Sequence, residues 1–316
     1  MTKRNSVIWI YFLVVLMTLV LRVSSSLDVY SALGVENLDA YFTCIVQIVV
    51  FGILPIGLYC IGARRRGESF REVGTDFAFK KLSGKNFART ALLSACMVIV
   101  AMGISVVWQI ALAMMGYKRV SSPTEYPNVG ALIRELVLVA VLPGFFEELT
   151  HRGLLYAGFR EDRGKYVLIS ALLFSLMHQN IAQTGYTFVS GAAMALAVYY
   201  SGSIWAGVIM HTFNNAFSVF LDFSSQRQGG FFDVINKVYN WFFEAPERMM
   251  VGLILSLACA LIMAFVLWRM RRDAIKDGII ESKGFVRTQN VNVVLVLTVL
   301  IGVIATLFTL VWGIAR

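Results

Sequence analysis

PGFFEELTHRGLLYAGF, residues 143–159, sets two glutamates, a histidine and an arginine inside a stretch that is otherwise apolar enough to cross a membrane. Charge at bilayer depth is costly and is kept where it serves a purpose. The surrounding chain of 316 residues is 58% hydrophobic, with a mean hydropathy of +0.71. A single soluble core of that length cannot hide so much apolar surface. Apolar runs at 7–23, 42–63, 91–116, 131–159, 166–184, 186–200, 203–221, 249–268 and 291–314 approach or exceed the roughly 20 residues that span a bilayer. No alternating ten-residue segments of the kind that build a membrane barrel are present. The expected fold is all-α, a polytopic helical membrane protein with about 8–9 transmembrane helices.

The net charge of +9 is explained by where the basic residues fall. With the N-terminus cytoplasmic, the inside segments hold Lys3 and Arg4, eight basic residues from Arg64 to Arg89, three from Arg160 to Lys165 and six from Arg269 to Arg287. That is the asymmetry of the positive-inside rule, and it leaves no surplus calling for nucleic acid. Lys3 and Arg4 lead into an apolar run without a small-residue cleavage site, which reads as a retained first span. The expected location is integral to a membrane, the plasma membrane, and a central cavity opening to the cytoplasm follows from that topology. Cys44, Cys60, Cys96 and Cys259 all sit in apolar runs without CxxC spacing, so neither a disulfide framework nor a thiolate metal site is indicated. The whole of 1–316 reads as one membrane domain. Within it, 1–127 supplies N-terminal spans and a basic loop, 128–222 carries the polar residues, and 223–316 supplies an interfacial segment (229–248) and the C-terminal spans.

The chain has three histidines, His151, His178 and His211, all close to the opening stretch. Glu148 and Arg152 are i,i+4 and share a helix face in a favourable order for an ion pair. Glu147 is rotated by about 100° from Glu148 and is left without that partner. His211 and Asn215, in HTFNN, are again i,i+4. At 1.5 Å per residue, Glu147 lies about 20 Å from Arg160 and His178 about 20 Å from Lys165, with His211 and Asn215 about 12 and 18 Å from Ser203. Three separate helices thus bring polar groups to a similar depth.

EELTHR fits EExxxR, FSLMH fits FxxxH and HTFNN fits HxxxN. In these motifs, and in RGLL after Arg152 and SGSIW before His211, the segment 130–220 resembles the CAAX protease and bacteriocin-processing (CPBP, or Abi) family, which includes the type II CAAX prenyl endopeptidases. The resemblance implies an intramembrane endopeptidase that hydrolyses a peptide bond of a membrane-tethered substrate, prenylated CaaX-type or bacteriocin-like, inside a central intramembrane catalytic cavity. It implies Glu147 as the carboxylate that activates water, His178 as its helper, and His211 with Asn215 as the oxyanion pocket. Glu148 and Arg152 would support them by fixing the helix.

His151 departs from the family pattern, where that position is usually apolar. It is i,i+4 from Glu147, so Glu147, His151, His178 and His211 form an alternative set of zinc ligands. The metal-free reading is preferred because no HExxH is present, so no cofactor is expected. The expected partners are the lipid bilayer and a membrane-tethered peptide. Two further readings are a non-proteolytic peptide-binding or immunity protein and an ion-coupled transporter. The second lacks the inverted repeat that transporters commonly show.

Overall fold

The computed structural model describes residues 2–26, 43–119, 124–281 and 292–315. Lys283 and Arg287, counted among the inside basic residues, and the first residues of the spans begun at 42 and 291 lie outside the described residues. All regular structure among the described residues is helical. In chain order the helices are α1 (Lys3–Ser26), α2 (Thr43–Arg65), α3 (Phe70–Asp76), α4 (Gly84–Met114), α5 (Val129–Phe159), α6 (Arg163–Met177), α7 (Ile181–Ser201), α8 (Trp205–Ser225), α9 (Phe231–Trp241), α10 (Pro246–Lys276) and α11 (Val293–Ala315).

The nine expected spans each coincide with a helix, and seven of those helices are long and apolar enough to cross a membrane. The two that are not are α6, which ends at the cap residue His178, and α8, which carries the His211–Asn215 pair. α6 is short, at 15 residues, whereas α8, at 21, is long enough but carries polar residues on the face that builds the site.

One boundary differs from the sequence expectation. The break between the fifth and sixth spans falls at 178–180 instead of 184–186. Asn180 caps α7 by accepting from the Ala182 N–H at 3.0 Å, and Gln179 adopts a left-handed φ of 45°. Asparagine favours such a cap because its side chain replaces a missing backbone acceptor. His178 therefore sits at the tip of a helical hairpin, and α7 is a full 21-residue helix rather than a short one.

Three stretches are π-helical: Val46–Ile53 in α2, and Leu136–Val141 and Leu149–Leu154 in α5. A π turn leaves backbone carbonyls off the regular ladder, and such turns are frequent at functional sites. Side chains meet those carbonyls here. Thr150 Oγ1 donates to the Phe51 carbonyl at 2.8 Å, Ser170 Oγ to that of His151 at 2.8 Å and Asn215 Nδ2 to that of Val139 at 2.9 Å.

The basic loop 64–83 is tied into the bundle through Asp76. Buried Asp76 accepts from Tyr59 Oη and Lys3 Nζ, each at 2.7 Å, and pairs with Arg160 at 3.3 Å, tying α1, α2, α3 and the end of α5 together. Phe77 then packs over Gly153, where a Cβ would lie 2.5 Å from its ring. The arrangement closes the basic end of the bundle. Two apolar clusters fill the interior, one around α4, α7, α8 and α10 and the other around α1, α2, α5 and α6; Phe146, beside Glu147, packs against both. At the opposite end, α9 leaves Phe231, Val234, Val238 and Trp241 uncovered, which suits a helix lying in the membrane interface.

Candidate active site

The two adjacent glutamates part company at once. Glu148 is fully buried, forms an ion pair with Arg152, and accepts from His211 Nδ1 at 3.0 Å. Two close approaches make that possible. A Cβ on Gly207 would collide with the Glu148 carboxylate, and one on Gly144 would collide with Thr212, so the glycines let α5 and α8 touch. Arg152, also fully buried, donates from Nη2 to the Gly191 carbonyl at 3.2 Å and lies 4.3 Å from the centre of the Phe174 ring. Burying a charge is tolerable only when it is paired and hydrogen-bonded in this way. Glu148 and Arg152 were expected to fix their own helix. They also hold α7 and α8 in place.

Glu147 faces elsewhere. Its carboxylate is half-buried and takes part in no ion pair among the described residues. It accepts from Gln47 Nε2 at 2.8 Å. His178, also half-buried, lies close enough to interact with Glu147 electrostatically. The His178 ring Nδ1 sits 2.9 Å from the Phe174 carbonyl. A carbonyl only accepts, so Nδ1 carries the hydrogen and Nε2 is left with a lone pair in the neutral ring.

Phe174 is the hub of the site. Its ring stands edge-on to His178 and His151, each at 5.0 Å between centroids, and to His211 at 5.4 Å. Asn215 commits one amide hydrogen to Val139 and accepts weakly from Asn214 at 3.3 Å, which leaves it a second amide hydrogen. Glu147, His178, His211 and Asn215 thus come to one region, on α5, the α6–α7 tip and α8.

His151 meets the same Phe174 ring, yet it is held by Tyr11 and makes no contact with Glu147 of the kind the helical spacing suggested. The π turn beginning at Leu149 alters the phase after Glu147. His151 is fully buried against Tyr11 and Phe51, with Nδ1 hydrogen-bonded to Tyr11 Oη at 2.7 Å. Among the described residues no group of three His, Cys, Asp or Glu side chains is placed to hold a metal ion, and the buried Nε2 of His151 has no hydrogen-bond partner.

Sequence reasoning missed Gln47, Tyr11 and the role of Phe174. Gln47 carried a signal, being the one strongly polar side chain in CIVQIVVFGIL. Its Oε1 is buried without a partner while its Nε2 holds Glu147. Gln47→Leu is expected to lower kcat about 10- to 100-fold by misplacing that carboxylate, with KM nearly unchanged. Steady-state kinetics check this, and wild-type kcat in that variant would contradict it.

The fold and site define a polytopic helical membrane protein with a carboxylate–histidine centre between its helices. Residues 130–217 match the family model Rce1-like, described as type II CAAX prenyl endopeptidase Rce1-like. The family is one of CAAX-type membrane proteases. No curated protein and no solved structure matches the chain significantly.

Proposed function

We propose that the chain is an intramembrane endopeptidase in which Glu147 activates water for attack on a peptide bond of a membrane-tethered substrate. The observation that carries this reading is the division of labour between neighbouring glutamates. Glu148 is consumed by Arg152 and His211, whereas Glu147 keeps a half-buried carboxylate that accepts from Gln47 and lies within electrostatic range of His178 without pairing with it. Water gives a proton to Glu147, and the hydroxide adds to the scissile carbonyl. The tetrahedral intermediate then collapses, the C–N bond breaks, and the proton passes to the departing amine. His178 Nε2, with its lone pair, suits positioning the water or sharing that proton.

Asn215 offers its remaining amide hydrogen to the oxyanion. His211 can offer Nε2–H only as the imidazolium, because Nδ1–H is directed at Glu148. The buried Glu148 carboxylate is the counter-charge for that form. Glu147 and His178 supply the base and the ring nitrogen that hydrolysis uses, and no step is routed through a metal.

The test uses purified full-length protein in proteoliposomes with a tethered peptide in prenylated and unprenylated forms. The expected results are cleavage of the tethered peptide, sub-stoichiometric zinc, and activity that survives chelation. Stoichiometric zinc with chelator-sensitive cleavage would overturn the metal-free mechanism. Tight binding without cleavage of either peptide would favour a peptide-capturing protein instead.

A further inference from the structure

α8 carries one continuous polar stripe. His211, Asn215, Ser218 and Asp222 stand at i, i+4, i+7 and i+11, which places them on a single face. Burial changes along that stripe. Gly207, one turn before His211, is buried and His211 is 4% exposed, but Asn215 is half-buried and Ser218 and Asp222 are exposed. Beyond Asn215 the stripe runs into a cavity of about 700 Å³ lined by Glu135, Val139, Ser218, Asp222, Tyr239 and Asn240, among others. Val139 belongs to both places. It lines the cavity, and its carbonyl accepts from Asn215. A stripe of this kind on a membrane helix marks a face turned to water or to a polar ligand.

The other end of the site is shut. Phe77 and Ala78 are 2% and 3% exposed, the Ile204 N–H donates to the Ala78 carbonyl at 2.9 Å, and Ser203 Oγ donates to that of Lys80 at 2.5 Å. Every residue from Glu148 to Arg152 is buried. Depth agrees with this closure. Glu147 lies about 20 Å along its helix from the basic end, which leaves about 10 Å of a 30 Å hydrocarbon core on the far side.

We propose that the cavity between α5, α8 and α9 is the vestibule through which an extended, polar peptide segment reaches Glu147, from the end of the bundle opposite the basic loops. Ser218, Asn240 and Asp222 supply the hydroxyl, amide and carboxylate that suit a peptide backbone and polar side chains. Tyr126, which also lines the cavity, has its phenol pushed up to about 12 by burial, aided by the Asp222 and Glu135 carboxylates beside it. With the basic end cytoplasmic, the vestibule faces the other compartment, the reverse of the cytoplasmic opening that topology alone suggested. The peptide as ligand rests on the endopeptidase reading; the side of access does not.

The experiment is side-specific labelling of the full chain, with Cys44, Cys60, Cys96 and Cys259 replaced, in sealed vesicles of known orientation. Ser218→Cys, with Asp222→Cys as a second position, is exposed to a membrane-impermeant maleimide. Lys237→Cys marks the α9 end and Lys81→Cys the basic end. The expected result is labelling of position 218 or 222 from the side that labels position 237. Labelling from the side of position 81, or from neither side although the thiol reacts after denaturation, overturns the proposal. A bulky maleimide on Ser218→Cys is further expected to cut peptide turnover about tenfold or more, and on Lys237→Cys to leave it unchanged. Unchanged turnover with position 218 fully labelled also overturns it. If wild-type protein cleaves nothing, the endopeptidase reading fails while the labelling still decides the side of access.

Discussion

Glu148→Ala is expected to destabilise the protein by about 3–5 kcal/mol, because it leaves the Arg152 guanidinium buried without its counter-charge. Arg152 is 0% exposed and cannot swing to water. Its remaining partners are the Gly191 carbonyl and the face of Phe174, and its Nε already has no acceptor. The same substitution strips His211 of the acceptor on Nδ1, loosening α8 at the point where Gly144 and Gly207 bring it against α5. Removing both charges together, as Glu148→Ala with Arg152→Met, is expected to recover much of the loss, since an apolar replacement of a buried pair is often close to neutral. Thermal unfolding in detergent, followed by loss of the monodisperse chromatographic peak, reads the difference. A Glu148→Ala protein as stable as wild type would mean that the pair is not the fastener described here.

The second large effect concerns chemistry with the fold left intact. Glu147 and His178 are half-buried, and neither belongs to the ion-pair network, so Glu147→Gln and His178→Ala should fold normally. Each is expected to lower kcat by about 10²–10⁴, the range for a positioned acid–base group. Groups that act as a unit are strongly non-additive, so the double variant should be little slower than either single one. Multiplicative losses would show that the two residues act separately, for instance with His178 holding substrate instead of the water.

Much of this was legible in the sequence, for reasons that particular residues make clear. Apolar runs long enough to span a bilayer gave away the helices, since backbone in lipid has little other choice. The i,i+4 order of Glu148 and Arg152 announced their pairing, and HTFNN announced His211 beside Asn215. What stayed hidden depended on tertiary packing. Gln47 lies 100 residues from Glu147, and no local periodicity links them. His151 was placed on the face of Glu147 by assuming 3.6 residues per turn, and the π turn at Leu149–Leu154 alters that phase. The hairpin tip at 178–180 was missed because FSLMHQNIAQ keeps a largely apolar flank, and the capping role of Asn180 shows only once α7 is seen to start there. The closure of the basic end by Phe77 likewise could not be read from the charge of its loop.

The central claim is that Glu147 is the carboxylate that activates water, and its most direct test is the cleavage rate of Glu147→Gln beside wild type. Both proteins are purified, matched for thermal stability, and given the same tethered peptide in single-turnover amounts. The expected result is a variant that melts with wild type and binds the peptide, yet forms product about 10²–10⁴-fold more slowly. Product formation by a folded Glu147→Gln protein at the wild-type rate would contradict the account.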